Sequence, residues 1–426
     1  MLRTVAAGGR AGREALRELL VSRRAPDLAA VREALPIVEE VLSDPRPPRA
    51  LLGWVERLDG VKLSARGLVV DPSRVPAPRP DPSFAAAFRL ARRRIASYHR
   101  RQLPRGFSFR DRQGVSFRER PVPLESVGVY VPGGRAFYPS SLLMGAVPAQ
   151  VAGVPRVVVA TPPRAFRESP ELRWALRELG IREVLLAGGA HGVAGLVGFL
   201  GCRKVVGPGN RWVAAAKHLV SALVSVDLPA GPSEVLVVAS GDAPPELVAA
   251  DLLAQAEHDP EAVCVLFTDS AELASRVGEE LAAQLPDLAT AATARAALER
   301  RALAVVFGTL GEAVAPARAF AAEHLQLMGR GAGRLRGELE AHAGALFSGS
   351  STPTAFGDYL AGPNHVLPTG GAGRSFSGLS TRDFVRWGRS VSFPAKAARR
   401  LAGPAATLAR FEGLDAHARA LARRAR

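Results

Sequence analysis

Apolar positions recur at helical spacing through the first sixty residues. Leu16, Leu19 and Leu20, and later Val38, Val41 and Leu42, mark two or three amphipathic helices. A Pro-rich stretch over 63–82 predicts an extended connection, and 84–103 a basic amphipathic helix ending near Leu103-Pro104. From 107 the period shortens to two, and 107–110 and 115–118 read as short strands. Apolar runs then alternate with amphipathic stretches. Strands are expected at 127–131, 157–160, 184–187 and 204–206, with helices between them. A second series places strands at 233–239, 263–268, 304–307 and 345–347, and helices at 247–256, 271–285 and 311–321. A polar loop over 348–378 and helices to the end complete the pattern.

Strand, turn and helix in this alternation predict an α/β fold. Two Rossmann-like parallel-sheet domains are expected, without a GxGxxG fingerprint, flanked by helical N- and C-terminal segments. The expected divisions are a helical segment over 1–126, a nucleotide-binding domain over 127–232, a catalytic α/β domain over 233–378 that packs with the N-terminal segment, and a tail over 379–426. In the first sheet the strands run into Tyr130-Val131-Pro132-Gly133-Gly134, Gly188-Gly189-Ala190-His191 and Gly207-Pro208-Gly209-Asn210. Open parallel sheets take ligands at these carboxyl ends, where glycines let backbone N–H groups approach a phosphate. Ordinary β–α turns would be spelled in much the same way.

Composition narrows the class. At 426 residues, 47% hydrophobic and 23% charged, the chain can bury two or three soluble domains. No apolar run reaches the roughly 18 residues of a membrane helix. Glu14 and Glu18 make the Arg-rich start an N-terminal helix rather than a transit peptide. Two cysteines, Cys202 and Cys264, lie in strand-like segments, so burial and a reducing cytoplasm are expected. The net charge is +16, but the arginines are scattered and aromatics are 6%, which argues against a nucleic-acid groove.

The strongest local chemistry is Gln255-Ala256-Glu257-His258-Asp259-Pro260. Gln255 and His258 leave one helix face, and Pro260 stops the helix. An amide oxygen and an imidazole then converge, and the residues alone leave open whether on a metal, a substrate or neither. Glu323-His324 by itself reads as a cap pair, Asp358 as a turn residue, and Gly362-Pro363-Asn364-His365 as a turn with His365 a hydrogen-bonding side chain. His99, His218 and His342 read as surface or structural.

Taken together, VGVYVPGG (127–134), GPGN (207–210), DLPAGPSEVLV (227–237), QAEHDP (255–260), EHLQL (323–327), FGDYLAGPNHVLPT (356–369) and FEGLDAH (411–417) closely resemble the histidinol dehydrogenase family, in its order and near its spacing. The resemblance covers about 125–420 and is loose over the first 85 residues. It implies NAD-dependent oxidation of L-histidinol to L-histidine through the aldehyde, with one zinc ion per subunit holding the substrate. It implies Gln255, His258, Asp358 and His417 as zinc ligands, and Glu323 and His324 as the acid/base pair. Substrate contacts would come from Ser233, His324, Glu412 and the four ligand residues. Cofactor contacts would fall at Tyr130, His191 and Asn210. It further implies a homodimer whose C-terminal segment, with Glu412 and His417, reaches the partner's site.

The residue types agree with that chemistry. Zinc takes imidazole and carboxylate donors at about 2.0–2.2 Å and keeps room for substrate. An imidazole can take a hydroxyl proton near neutral pH, and a carboxylate can activate water for the aldehyde step. Adjacent side chains diverge on a helix, so Glu323 and His324 are expected at a turn or a helix start. Three departures stand out. His191 replaces the family's usual Gln, the 199–203 loop is short, and Ala322 stands where Pro is common, which loosens that turn. The rival readings are a related zinc- and NAD-dependent dehydrogenase of another polar alcohol, and a basic binding protein without catalysis.

Overall fold

A computed structural model describes residues 2–22, 27–44, 48–133, 137–227 and 231–425. Gly134 of the first glycine turn and residues 228–230 of the DLPAGPSE segment lie outside the described residues. The strands in chain order are β1 (Arg3–Ala6), β2 (Val69–Val70), β3 (Phe107–Arg110), β4 (Ser116–Pro123), β5 (Val127–Tyr130), β6 (Val157–Thr161), β7 (Glu183–Leu186) and β8 (Lys204–Val206). They continue with β9 (Ser225–Val226), β10 (Glu234–Ala239), β11 (Val263–Thr268), β12 (Ala302–Val306), β13 (His324–Met328), β14 (Ala345–Ser348) and β15 (Val385–Ser392). The chain forms two compact units, one of residues 1–102 and 125–384, the other of 103–124 and 385–426.

The larger unit holds two six-stranded sheets. One runs β2-β7-β6-β5-β8-β9, parallel except for β2 on its edge. The other runs β1-β12-β11-β10-β13-β14 and is parallel throughout. Each series begins mid-sheet, builds outward, then returns to the other side of its first strand. The order therefore reverses between β5 and β8, and between β10 and β13. β5 and β10 are buried along their whole length, as strands covered by helices on both faces must be.

The N-terminal segment is shared between the two sheets. Helix Leu28–Ser43 packs Ala34, Val38 and Val41 against Val193, Leu196 and Val213 on the first sheet's helices. Ala15, Leu16 and Leu19 of helix Arg10–Ser22 instead cover the second sheet, whose edge β1 forms. The sequence pattern anticipated helices here but neither β1 nor β2, which are short edge strands with no clean alternation. It also missed helix Ala291–Arg301 and strand β13. Cys202 and Cys264 are buried free thiols, both pushed up to about 12 by burial.

The smaller unit pairs β15 with β4 and β4 with β3, all antiparallel. Helices Ala395–Phe411 and Asp415–Ala422 follow and meet through Ala406, Ala409, Ala418 and Leu421. The expected all-helical tail is thus corrected, because it opens on a strand. β15 is rich in Arg and Ser and largely exposed, so it lacks the apolar run that marks a central strand.

Candidate active site

The acid/base pair sits where a bend feeds a strand. Helix Leu310–Phe320 ends on Ala321, whose φ of 48° is the left-handed value that favours glycine. Glu323 occupies the bend and His324 opens β13. The turn is held from two sides despite Ala322. Gly344 N–H donates to Ala322 O at 2.8 Å, and Ala345 N–H to Glu323 O at 2.9 Å.

The backbone of Glu234, at the start of neighbouring β10, orients both side chains. Its N–H donates to Glu323 Oε2 at 2.8 Å, and its carbonyl lies 3.3 Å from His324 Nδ1. Glu323 Oε2 is also 3.5 Å from that nitrogen. Donation from Nδ1 leaves Nε2 as the second functional nitrogen of the ring. Burial pulls the imidazole's pKa down. The charge and hydrogen bond of Glu323, the charge of Asp358 and the Glu234 carbonyl outweigh it, and His324 is pushed up to about 9.

Ser233 directly precedes β10, and Gln255 lies in the last turn of helix Pro245–Ala256. These positions, with Glu323 and His324, gather at the amino-terminal edge of the second sheet. The carboxyl edge, where such sheets usually bind ligands, carries an ion pair and a backbone-capping hydroxyl of its own. There Arg330 pairs with Asp242 at 3.0 Å, and Ser240 Oγ accepts from Gly331 N at 3.1 Å.

His258 is exposed in the turn after the helix, its N–H on Gln255 O at 3.3 Å. Asp358 lies on helix Ala355–Tyr359 with His365 Nδ1 3.6 Å from its Oδ1. Burial raises the Asp358 carboxyl, but His365, His324 and His258 together hold it below the usual range. Asp358 thus has His365 as its direct partner, with the charges of His324 and His258 also acting on it. A cavity of about 240 Å³ opens beside His324 and His365, lined also by Phe347, Tyr98, Asn364 and Leu367 among others. Among the described residues no three His, Cys, Asp or Glu side chains make a metal cage on their own. Gln255, His258 and Asp358 belong to the larger unit and Glu412 and His417 to the smaller. Glu412 follows helix Ala395–Phe411, and His417 is exposed on the last helix.

The candidate cofactor residues lie at the carboxyl ends of the first sheet. Tyr130 ends β5, and its hydroxyl accepts from Gly189 N at 2.9 Å. Gly207 has φ 123°, and a Cβ there would collide with the Tyr130 carbonyl oxygen. An ion pair clasps this turn: Lys217 Nζ is 2.6 Å from Asp227 Oδ1 and donates to Gly207 O at 3.0 Å, while Gly207 N donates to Asp227 Oδ2 at 2.7 Å. Asn210 caps helix Arg211–Val220 through Oδ1, so its exposed amide retains its NH₂ for a ligand. His191 is 2% exposed, and its Nε2 lies 2.8 Å from Asp59 Oδ2.

Four contributors escaped the sequence reading. Asp59 lies outside every motif. Asp251, one turn before Gln255, accepts a backbone hydrogen bond from Thr354, the residue before the Asp358 helix, and burial pushes it up to about 6. A carboxylate inside an apolar helix was the available signal. Asn364 is buried and donates to Met144 O at 2.8 Å, pinning the loop that carries His365. Tyr98 reaches the cavity from helix Pro82–Arg100. His99 is a buried structural residue, 2.6 Å from Gln102 Oε1.

Comparison with known proteins places the chain in a family. The histidinol dehydrogenase family profile matches residues 22–425, well upstream of the segments that carry the resemblance by eye. A histidinol dehydrogenase of Bradyrhizobium diazoefficiens is 43% identical over 94% of this chain and 95% of its own. One of Rhodopseudomonas palustris is 44% identical over 93% and 92%. The crystal structure of histidinol dehydrogenase from Elizabethkingia anophelis superposes with a TM-score of 0.86 at 28% identity, over 99% of this chain and 98% of that one. The chain belongs to the histidinol dehydrogenase family.

Proposed function

We infer that this protein oxidises L-histidinol to L-histidine in two successive steps, through the aldehyde, as the closing reactions of histidine biosynthesis. The single observation that carries the mechanism is the Glu234 backbone, which holds Glu323 beside His324, and His324 lines a cavity. In the first step His324, once neutral, takes the hydroxyl proton through Nε2 while hydride leaves the carbinol carbon. NAD, when bound, supplies the hydride acceptor. In the second step water must add to the aldehyde. Glu323 takes a proton from that water, and His324 again accepts the hydroxyl proton of the hydrate as the second hydride leaves.

The donor set supports zinc. Gln255 offers an amide oxygen, His258 an imidazole and Asp358 a carboxylate that its neighbours keep ionised, with His417 as the fourth donor. Zinc, when bound, supplies a fixed point of attachment for substrate nitrogen and oxygen atoms. Ser233, His324, Glu412 and the ligand residues then orient the carbinol. Orientation of this kind contributes up to about 7–11 kcal/mol of barrier reduction. We read 127–232 as a Rossmann-like cofactor-binding half, with Tyr130, His191 and Asn210 at its crevice, and 233–378 as the catalytic half. The enzyme acts as a cytoplasmic homodimer that shares its sites through the 379–426 segment. Exposed Leu408 and Phe411 on the tail support a partner surface there.

The test is NADH production from L-histidinol, with other amino alcohols for comparison. Turnover should disappear on chelation and return with zinc. Full activity of metal-free protein would contradict the zinc reading, and turnover of another alcohol but not histidinol would contradict the substrate.

A further inference from the structure

The sequence-based assignment puts a cofactor contact on His191, but the residue's surroundings redirect it. His191 is 2% exposed, its Nε2 is engaged by Asp59, and its Nδ1 is buried without a partner. The unpaired Nδ1 is closed off from solvent, so neither ring nitrogen is open to a ligand in the crevice. Asp59 stands in its place. It ends the helical segment Val55–Asp59, from the N-terminal part of the chain, and lies against the turn after β7. Its Oδ2 accepts from Gly188 N at 3.0 Å as well as facing His191 Nε2 at 2.8 Å. Its side chain stays 12% exposed. Tyr130 is close by, since its hydroxyl accepts from Gly189 N, the N–H after the one that Asp59 takes. The carboxylate therefore stands among the ends of β5 and β7, beside Gly188 and Gly189.

That position matters for an adenine dinucleotide. The N-terminus of helix Gly189–Gly198 would otherwise favour a phosphate, but Gly188 N–H and the helix field are already answered by a carboxylate. An ionised carboxyl only accepts hydrogen bonds. It suits the vicinal hydroxyls of a ribose and repels a phosphate on them. We propose that Asp59, held by His191 and Gly188, is the specificity residue that accepts a ribose hydroxyl of the unphosphorylated dinucleotide and excludes its 2′-phosphorylated form. His191 is then a positioning residue acting through Asp59. The inference rests on the dinucleotide reading above.

The test compares kcat/KM for NAD⁺ and NADP⁺ in the wild type, Asp59→Asn and His191→Gln, at saturating L-histidinol. Asp59→Asn should lower the NAD⁺/NADP⁺ ratio by about tenfold or more, the scale of a lost charge-assisted hydrogen bond, and leave KM for L-histidinol unchanged. His191→Gln should keep the ratio, because a Gln amide still donates to Asp59. An equal loss with both cofactors, or an unchanged ratio, would reduce Asp59 to a structural role and overturn the proposal. Direct binding to unmutated protein needs no variant to fold. ADP-ribose should bind at least about tenfold more tightly than its 2′-phosphorylated form, and equal affinities would overturn the proposal. Absence of NAD⁺-dependent turnover in the wild type, with the ADP-ribose preference intact, would instead strike the functional reading and leave the Asp59 assignment standing.

Discussion

At the scale of single residues, the proposed chemistry rests on His324, and the charge of the neighbouring Glu323 favours its protonated form. With its pKa pushed up to about 9, the imidazole is protonated at neutral pH and gains its base form as pH rises toward that value. The rate of the first oxidation should therefore climb into the alkaline range. Removing the Glu323 charge destabilises the imidazolium, so in Glu323→Gln the rising limb should move to lower pH. The same substitution should slow aldehyde oxidation more than alcohol oxidation, since only the aldehyde needs an activated water. Single-turnover rates for each half-reaction across pH check both effects. An unmoved limb with equal losses in the two steps would remove Glu323 from its role.

At the scale of elements, two sheets of like topology carry their candidate residues at opposite edges. At the carboxyl edge of the first, the Lys217–Asp227 pair clasps the Gly207 turn. That pair is buried, at 5% and 0% exposure of the side chains. Lys217→Met strands Asp227 and should destabilise the protein by about 3–5 kcal/mol in denaturant unfolding. It should also raise KM for NAD more than KM for L-histidinol. A variant of unchanged stability would contradict the clasp. Strands such as β8 and β11 were legible at their observed bounds, because a Val-rich run bounded by Gly or Pro has few alternatives. β13 was hidden, since Glu-His-Leu-Gln-Leu carries polar residues that are buried only because Glu234 and its neighbours receive them. The expected turn under Glu323 and His324 corresponds to the bend before β13, not to a helix start. Asp59, Asp251 and Asn364 were not legible as site residues, because their roles depend on contacts with segments more than a hundred residues away.

At the scale of the molecule, Glu412 and His417 lie in a small unit whose two helices share little more than Ala406, Ala409, Ala418 and Leu421. Phe411 is 89% exposed, and Phe107, Phe109 and Trp387 are also exposed in that unit. Such a thin core calls for covering by other surface, in keeping with the proposed dimer. If the tail serves its partner, mixing His417→Ala with His324→Ala subunits should restore part of the activity. No recovery after verified subunit exchange would place each site within one chain. Among the described residues no helix is long and apolar enough to cross a membrane, and the +16 charge favours encounter with anionic ligands. A double oxidation at one site fixes the stoichiometry. With zinc-loaded protein, limiting L-histidinol and excess NAD, the yield should be two NADH and one L-histidine per L-histidinol. One NADH with the aldehyde as end product, or none, would contradict it.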